Sequence, residues 1–246
     1  MRELTKVDLQ FVVSRLPRDV ERLLRLNAGK LYVAGGFIRA TIACEKISDI
    51  DLFGESKDEL LSIAKDLTLR RKGRYFETKN AATVLTPTRF PVQFITRWLY
   101  VSPRKLVKSF DFTIAQSAIW AEVLDPSAEV AKGKLPKVEY HSLIADDFYS
   151  DLAAKRLVYT SPERDEEAGG SMMRVLKFLR RGYSIQAPAL AGVMARIFNK
   201  IYEGGIENAS EVWYKTVING LLREVDPMIV VDGVDFLDEH EVISNE

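Results

Sequence analysis

The chain has 246 residues, 47% of them apolar, and its 35 basic and 35 acidic side chains cancel. That length suits one large domain or two small ones, and the apolar fraction supplies a sizeable core. A balanced charge neither marks nor excludes a nucleic-acid partner, because local patches matter more than the sum.

No run of about eighteen apolar residues occurs, so no membrane span is read. The opening "MRELTKVDLQ" lacks a basic region followed by an apolar core, so no secretory leader is read. Cys44 has no partner for an internal disulfide, and together with His141 and His240 it offers few soft ligands for zinc. A reducing, cytoplasmic setting is expected. Two local charge biases stand out: "RRKGR" at 70–74, and a final 21 residues with seven Asp or Glu and no Lys or Arg. Each reads as solvated surface.

In chain order, residues 7–15 and 18–26 read as helices separated by Pro17, with Leu16, Val20, Leu23 and Leu24 as an apolar stripe. "LYVA" at 31–34 reads as a short buried strand. Gly35 and Gly36 allow a sharp turn into a helix from about Phe37. "DIDLF" at 49–53 reads as a second strand. Ser56 and Glu59 match a capping box, which opens a helix to about Leu67. Strands follow near 74–78, 82–86 and 91–96. Ser102 and Pro103 read as N-cap and first position of a short helix. "SFDFTIAQSA" and "IWAEVL" continue the sheet. After about residue 140 the pattern turns helical. In 171–182, Met172, Met173, Leu176 and Leu179 share one face and Arg174, Lys177 and Arg181 another, with Gly182 as the stop. Helices are also expected near 188–203 and 209–223. The division predicted is a mixed α+β domain over 1–140 and a helical one over 141–246.

Asp49 and Asp51 lie two apart on a strand, so their carboxylates share a face while Ile50 turns inward. Such a pair either ends a strand at the surface or holds a cation between like charges. Mg²⁺ suits it, being hard and commonly shared with substrate phosphates, and Mn²⁺ is a possible substitute. The Gly35–Gly36 turn lets backbone amides approach phosphate oxygens, and Arg39, one turn on, adds a cation. Metal carboxylates beside a phosphate turn suggest nucleotidyl transfer.

"GGFIRATIACEKISDID" resembles the head-domain signature of the class II tRNA nucleotidyltransferases and bacterial poly(A) polymerases, in the polymerase β superfamily. Twelve residues separate "GG" from "DID", as that pattern requires. "PVQFITR", "FDFTIAQSAI" and "RVLKFLRRGYSI" resemble further motifs of that family, in the right order. The resemblance implies an α+β fold, a nucleotidyltransferase head with a mixed sheet and flanking helices, followed by a helical neck. It implies Asp49 and Asp51 as metal ligands and catalytic groups. Gly35, Gly36, Arg39 and Asp111 would bind nucleotide, with Arg174 and Lys177 extending the pocket from the neck. The implied partners are an NTP and an RNA 3′ end, tRNA-like. Small-molecule or protein hydroxyls, or binding without catalysis, are the alternatives. This sequence departs from the family pattern at Ala40, Gln93 and Phe110. At the neck template motif Glu167 is kept, while Ala168 and Ser171 replace an Asp and an Arg.

Overall fold

The computed structural model describes residues 1–125, 134–162 and 170–203, with backbone alone for 200–203. The expected helix at 209–223 and the acidic final segment lie outside the described residues.

Two helices, α1 (Lys6–Arg15) and α2 (Arg18–Leu26), precede strand β1 (Leu31–Ala34). Thr5 caps α1 by accepting the Asp8 amide, and Pro17 separates the two helices. Helix α3 (Gly36–Ile42) leads to β2 (Ile50–Gly54), followed by α4 (Lys57–Arg71), β3 (Arg74–Glu77), β4 (Ala81–Leu85) and β5 (Val92–Ile95). Ser56 accepts the Glu59 amide and so starts α4 as expected. That helix runs a turn beyond Leu67. Its last residue, Arg71, is pinned by Asp19 at 2.8 and 3.0 Å and by the Phe90 carbonyl at 2.9 Å. The "RRKGR" cluster is therefore not all solvated surface, because the Arg71 side chain is fully buried.

Helix α5 (Pro103–Lys108) precedes β6 (Ser117–Val123) and β7 (Val138–Ile144). Between α5 and β6 the expected strand is absent, and Thr113–Ala115 forms a 3-10 turn. The Thr113 amide donates to Val158 at 3.1 Å and its hydroxyl to buried Asp151 at 2.6 Å, so its polar groups are satisfied away from the sheet ladder. The sheet also runs past residue 140, since β7 ends at Ile144. After it come α6 (Phe148–Ala153), β8 (Arg156–Leu157), α7 (Gly170–Arg180), β9 (Ser184–Ile185) and α8 (Ala187–Glu203).

The main sheet has seven strands in the order β3-β4-β5-β2-β1-β6-β7. β2 and β5 pair in parallel and the other neighbours are antiparallel. The two-residue side-chain period sorts the faces. Leu31, Val33, Ile50, Leu52, Val92 and Phe94 point into the larger core, where Leu24, Phe37, Ile38 and Leu60 meet them. Tyr32, Ala34 and Phe53 point the opposite way and pack against Leu106 and Val107 of α5. Asp51, two residues before Phe53, shares that second face, so the fold puts its carboxylate on the side that α1 to α4 leave open. No helix among the described residues is long and apolar enough to cross a membrane.

The Asp19–Arg71 pair makes an acid prediction. Burial alone would raise the Asp19 pKa, but the Arg71 bond and charge, the Val20 amide and Arg89 bring it below its ordinary 3.8. A depressed folded pKa contributes stability that is present above the unfolded value and is lost as pH falls through the folded one. Asp19→Asn is therefore expected to be clearly less stable than wild type at neutral pH, with the gap narrowing below pH 3.8. Urea melts in neutral buffer and in buffer more acid than that value check it. A gap that stays constant across them would show that the carboxylate charge contributes nothing.

Candidate active site

A cleft of about 220 Å³ opens on the second face of the sheet, between the ends of β2 and β5 and helix α7. Gly36, Arg39, Asp49, Asp51, Asp111, Arg174 and Lys177, residues scattered over 142 positions of sequence, all line it. Of the residues singled out in the sequence for binding or catalysis, Gly35 does not line the cleft and instead shapes the turn beneath it.

Asp51 sits on β2 in register with Gln93 of the parallel strand β5, and Asp49 immediately precedes β2. Both are half-buried while Ile50 between them is fully buried, which is the same-face arrangement expected. Ser48 donates its hydroxyl to Asp49 at 2.7 Å. No cluster of three or more His, Cys, Asp or Glu suited to a metal occurs among the described residues. The donor set is thus two hard carboxylates with room beside them. That fits Mg²⁺, which keeps waters and takes substrate phosphates to complete its octahedron. It suits zinc poorly.

The two glycines have different work. Gly35 carries the positive φ, at 72°, and a Cβ there would sit 3.0 Å from the Phe110 ring. Gly36 opens α3, and a Cβ on it would meet nothing within 4 Å. The strain expected of the Gly-Gly step therefore belongs to Gly35, and Gly36 leaves its side of the cleft open. Gly35→Ala is expected to cost about 1–3 kcal/mol of stability. Gly36→Val should melt near wild type yet weaken nucleotide binding, because its branches enter the cleft. Thermal melts alongside nucleotide titrations of both variants separate the two roles. Unchanged nucleotide affinity in a folded Gly36→Val protein would limit the glycine to packing.

Arg39 reaches the cleft wall already paired. It is 2% exposed and forms an ion pair with Glu45. It also donates to the Tyr183 hydroxyl at 3.3 Å, and that hydroxyl donates to Glu45 at 2.8 Å. The guanidinium lies over the Phe178 ring, 5.0 Å from its centroid. Asp111 is paired as well: it is 1% exposed and ion-paired with Arg174. That pair ties the segment after α5 to helix α7. The backbone tie of Thr160 to Asp111 at 2.9 Å and the Gln116 bonds to the Phe110 carbonyl and Thr160 hydroxyl, both 3.0 Å, hold the same region.

Helix α7 faces inward differently from the expected stripe. Gly170, Ser171, Val175 and Phe178 are its buried residues, while Leu176 and Leu179 are exposed by 43% and 42%. The basic face holds: Arg174, Lys177 and Arg181 all line the cleft. Gly182, at φ 82°, stops the helix. The Tyr183 amide returns to Phe178 at 3.1 Å and the Gly182 amide to Leu179 at 3.0 Å, the paired bonds of a Schellman motif. Tyr183 is thereby delivered to Arg39. Ser171, aligned with the neck arginine, is buried, and its hydroxyl has no hydrogen-bond partner among the described residues. It is not on the cleft wall. Glu167 and Ala168 lie outside the described residues.

Sequence reasoning did not place Arg181 in the site. Its signal was the spacing, four residues after Lys177 and seven after Arg174. Burial weakens the hold of the Arg181 guanidinium on its proton and the nearby charge of Arg39 weakens it further, while Glu45 and Asp49 oppose both. Four rings, Phe53, Trp98, Phe110 and Phe178, also line the cleft. Trp98 comes from the loop after β5, where no local pattern marks it.

Residues 3–155 match the family of Gad2, the Gabija anti-defense 2 family protein. The chain belongs to this family. No curated protein matches the sequence of this Gabija anti-defense 2 family member. Among solved structures, its fold is similar to that of the Thermotoga maritima CCA-adding enzyme complexed with tRNA, with a TM-score of 0.52 and 18% identity over 92% of this chain and 52% of that one. It is similar also to a CCA-adding enzyme in complex with CTP, with a TM-score of 0.54 and 18% identity over 93% and 52% of the two chains. The chain spans about half the length of those enzymes. The motif resemblance thus holds at the level of fold, while the family that the sequence matches is a different one.

Proposed function

We propose that this protein is a metal-dependent nucleotidyltransferase that moves NMP from an NTP to an acceptor hydroxyl. The observation that carries this reading is the convergence, across one cleft, of the Asp49–Asp51 pair, the open side of Gly36 and the cationic face of α7. In the reaction the acceptor oxygen bonds to the α-phosphorus, the bond from that phosphorus to the bridging oxygen breaks, pyrophosphate leaves and the hydroxyl proton passes to solvent. Asp49 and Asp51 would hold Mg²⁺, or Mn²⁺ in its place, which when bound supplies positive charge to the reacting phosphate. Gly36 leaves space for the phosphate chain. The Asp111–Arg174 pair, together with the contacts of Arg39 with the Tyr183 hydroxyl and the Phe178 ring, fixes α7 beside the sheet and so sets the width of the cleft. The aromatic wall offers stacking surface to a base.

The fold supports an RNA 3′ end, tRNA-like, as acceptor, since proteins sharing it are CCA-adding enzymes, one of them seen with tRNA. Ordered C-C-A addition is not proposed, because Ser171 is buried outside the cleft lining and a short hydroxyl cannot reproduce an arginine fork. A second reading takes the family's description as its observation: the acceptor is a protein hydroxyl in Gabija itself, and the transfer is how the protein opposes that defence.

The test is to incubate the protein with each labelled NTP and Mg²⁺, with total RNA or with purified Gabija proteins. Label on RNA 3′ ends supports the first acceptor, and label on protein supports the second. No label with any NTP and either acceptor would remove the enzymatic reading and leave a nucleotide- or RNA-binding module.

A further inference from the structure

We propose that residues 78–110 build a docking surface for a single-stranded nucleic acid on the lip of the cleft, where Lys105 and Lys108 of α5 hold phosphates and Trp98 stacks on a base. The inference rests on the transfer reading only in running the end of that strand into the cleft. The surface and the strandedness of its partner go beyond that reading.

Charge along the chain points to it first. The 33 residues from Thr78 to Phe110 contain six Lys or Arg and no Asp or Glu, an imbalance that the chain as a whole does not have. The fold then sorts these cations. Arg89 pairs with Asp19 of α2. Arg104 lies near the Asp146 carboxylate. Lys105 and Lys108, three apart and so on one face of α5, are both exposed, while Leu106 and Val107 between them are buried in the small core with Tyr32 and Phe53. The helix leads to the cleft, since Phe110, two residues after Lys108, is on its wall.

The loop after β5 forms the neighbouring part of the lip, and it is held at both ends. The Thr96 and Arg97 amides donate to the Asn80 carbonyl, both at 2.9 Å, and the Tyr100 amide donates to that of Gly54 at 2.8 Å. Phe53 meets Tyr100 and Phe110 edge to face, with centroids 6.2 and 5.9 Å apart, so loop and α5 share one aromatic seam. Between its two ties the loop sets Trp98 on the cleft wall, with the Arg97 guanidinium 4.7 Å from a ring centroid.

The chemistry selects the partner. Lysines attract phosphates without reading a sequence. A ring fixed by its neighbours gives a base of any kind something to stack on. A duplex would answer the lysines but keeps its bases stacked on one another, and an acidic protein would answer the lysines and leave the ring unused.

Fluorescence anisotropy tests the surface apart from turnover, in EDTA and without NTP. The probes are a short labelled RNA, the same sequence as DNA, and each as a duplex. Single strands are expected to bind roughly tenfold or more above their duplexes. The Lys105→Ala, Lys108→Ala double variant should bind them more weakly, with the slope of log K against log salt shallower by about 1.4, as for two phosphate contacts on a single strand. Trp98→Ala should weaken binding about five- to a hundredfold, and Trp98→Phe should recover part of that. The surface is overturned if the double variant, folded by circular dichroism, keeps the affinity and salt slope of wild type, if duplexes bind as tightly as single strands, or if no oligonucleotide binds. Purified Gabija proteins held through the same lysines, with no oligonucleotide bound, would overturn it in favour of a protein interface. Single-strand binding through these residues without transfer to any acceptor would support the surface and remove the enzymatic reading. Transfer to RNA whose KM for RNA is indifferent to the double change would support the enzyme and overturn the surface.

Discussion

Asp51→Asn is expected to lower nucleotidyl transfer by a factor of about a hundred or more while the melting temperature stays close to that of wild type. The rate effect follows from charge. An amide of the same shape offers the cation a weak dipole where the carboxylate offered a full charge, and losing one such electrostatic contact to the transition state costs about 10²–10³ in rate. The small stability effect follows from position. Asp51 is only half-buried and borders the cleft, and its backbone bonds in the β1–β2–β5 ladder do not involve the side chain. Relieving the repulsion between two neighbouring carboxylates offsets part of whatever contact is lost. Asp49→Asn should follow the same course with a smaller rate loss, since Asp49 precedes the strand and its carboxylate is shared with the Ser48 hydroxyl. Single-turnover transfer measured in Mg²⁺, with melts on the same samples, reads both quantities. Wild-type rates in either variant would take the carboxylates out of the chemistry.

What could be read from the sequence divides by range of interaction. Elements set by local signals were legible: the buried "LYVA" strand, the Ser56 cap of α4, Pro103 at the start of α5 and Gly182 at the end of α7. Each rests on a few neighbouring residues whose geometry is fixed by backbone sterics or by one hydrogen bond. The 3-10 turn at Thr113 was not legible, because what holds it is Asp151, 38 positions away. The inward face of α7 was misread for a related reason. Hydrophobicity favours Leu176 and Leu179, but Phe178 is drawn in by Phe112, with ring centroids 6.3 Å apart, and by the Arg39 guanidinium.

The candidate site shows the same division. Asp49 and Asp51 were visible as a period-two pair on one strand, and the cationic face of α7 as a helical spacing. Which cations are already paired depends on contacts such as Arg174 with Asp111, 63 residues apart, and no local pattern reports that. The strain carried by Gly35 and not Gly36 depends on the turn's own dihedrals and on the Phe110 ring beneath it.

Glu45→Ala is expected to lower stability by about 3–5 kcal/mol, the usual consequence of removing one partner from a buried ion pair. For a chain of this size that is a fall of roughly 6–20 °C in melting temperature. The cost arises because Arg39, with 3% of its side chain exposed, cannot turn to water when its carboxylate is gone. Its Nε already lacks a hydrogen-bond partner among the described residues, so they hold no spare acceptor to substitute. The Tyr183 hydroxyl, which donates to Glu45 at 2.8 Å, loses its acceptor at the same stroke. Glu45→Gln keeps an oxygen for Arg39 or Tyr183 and should fall between alanine and wild type. The functional consequence separates this network from a purely structural pair. Tyr183 follows directly on the stop of α7, so loosening it frees the end of the helix that carries Lys177 and Arg181. Glu45→Ala, assayed well below its own melting point, should therefore weaken nucleotide binding although Glu45 itself does not line the cleft. A variant that melts early yet binds nucleotide like wild type would confine the Arg39–Glu45–Tyr183 network to stability and detach it from the cleft's cationic wall.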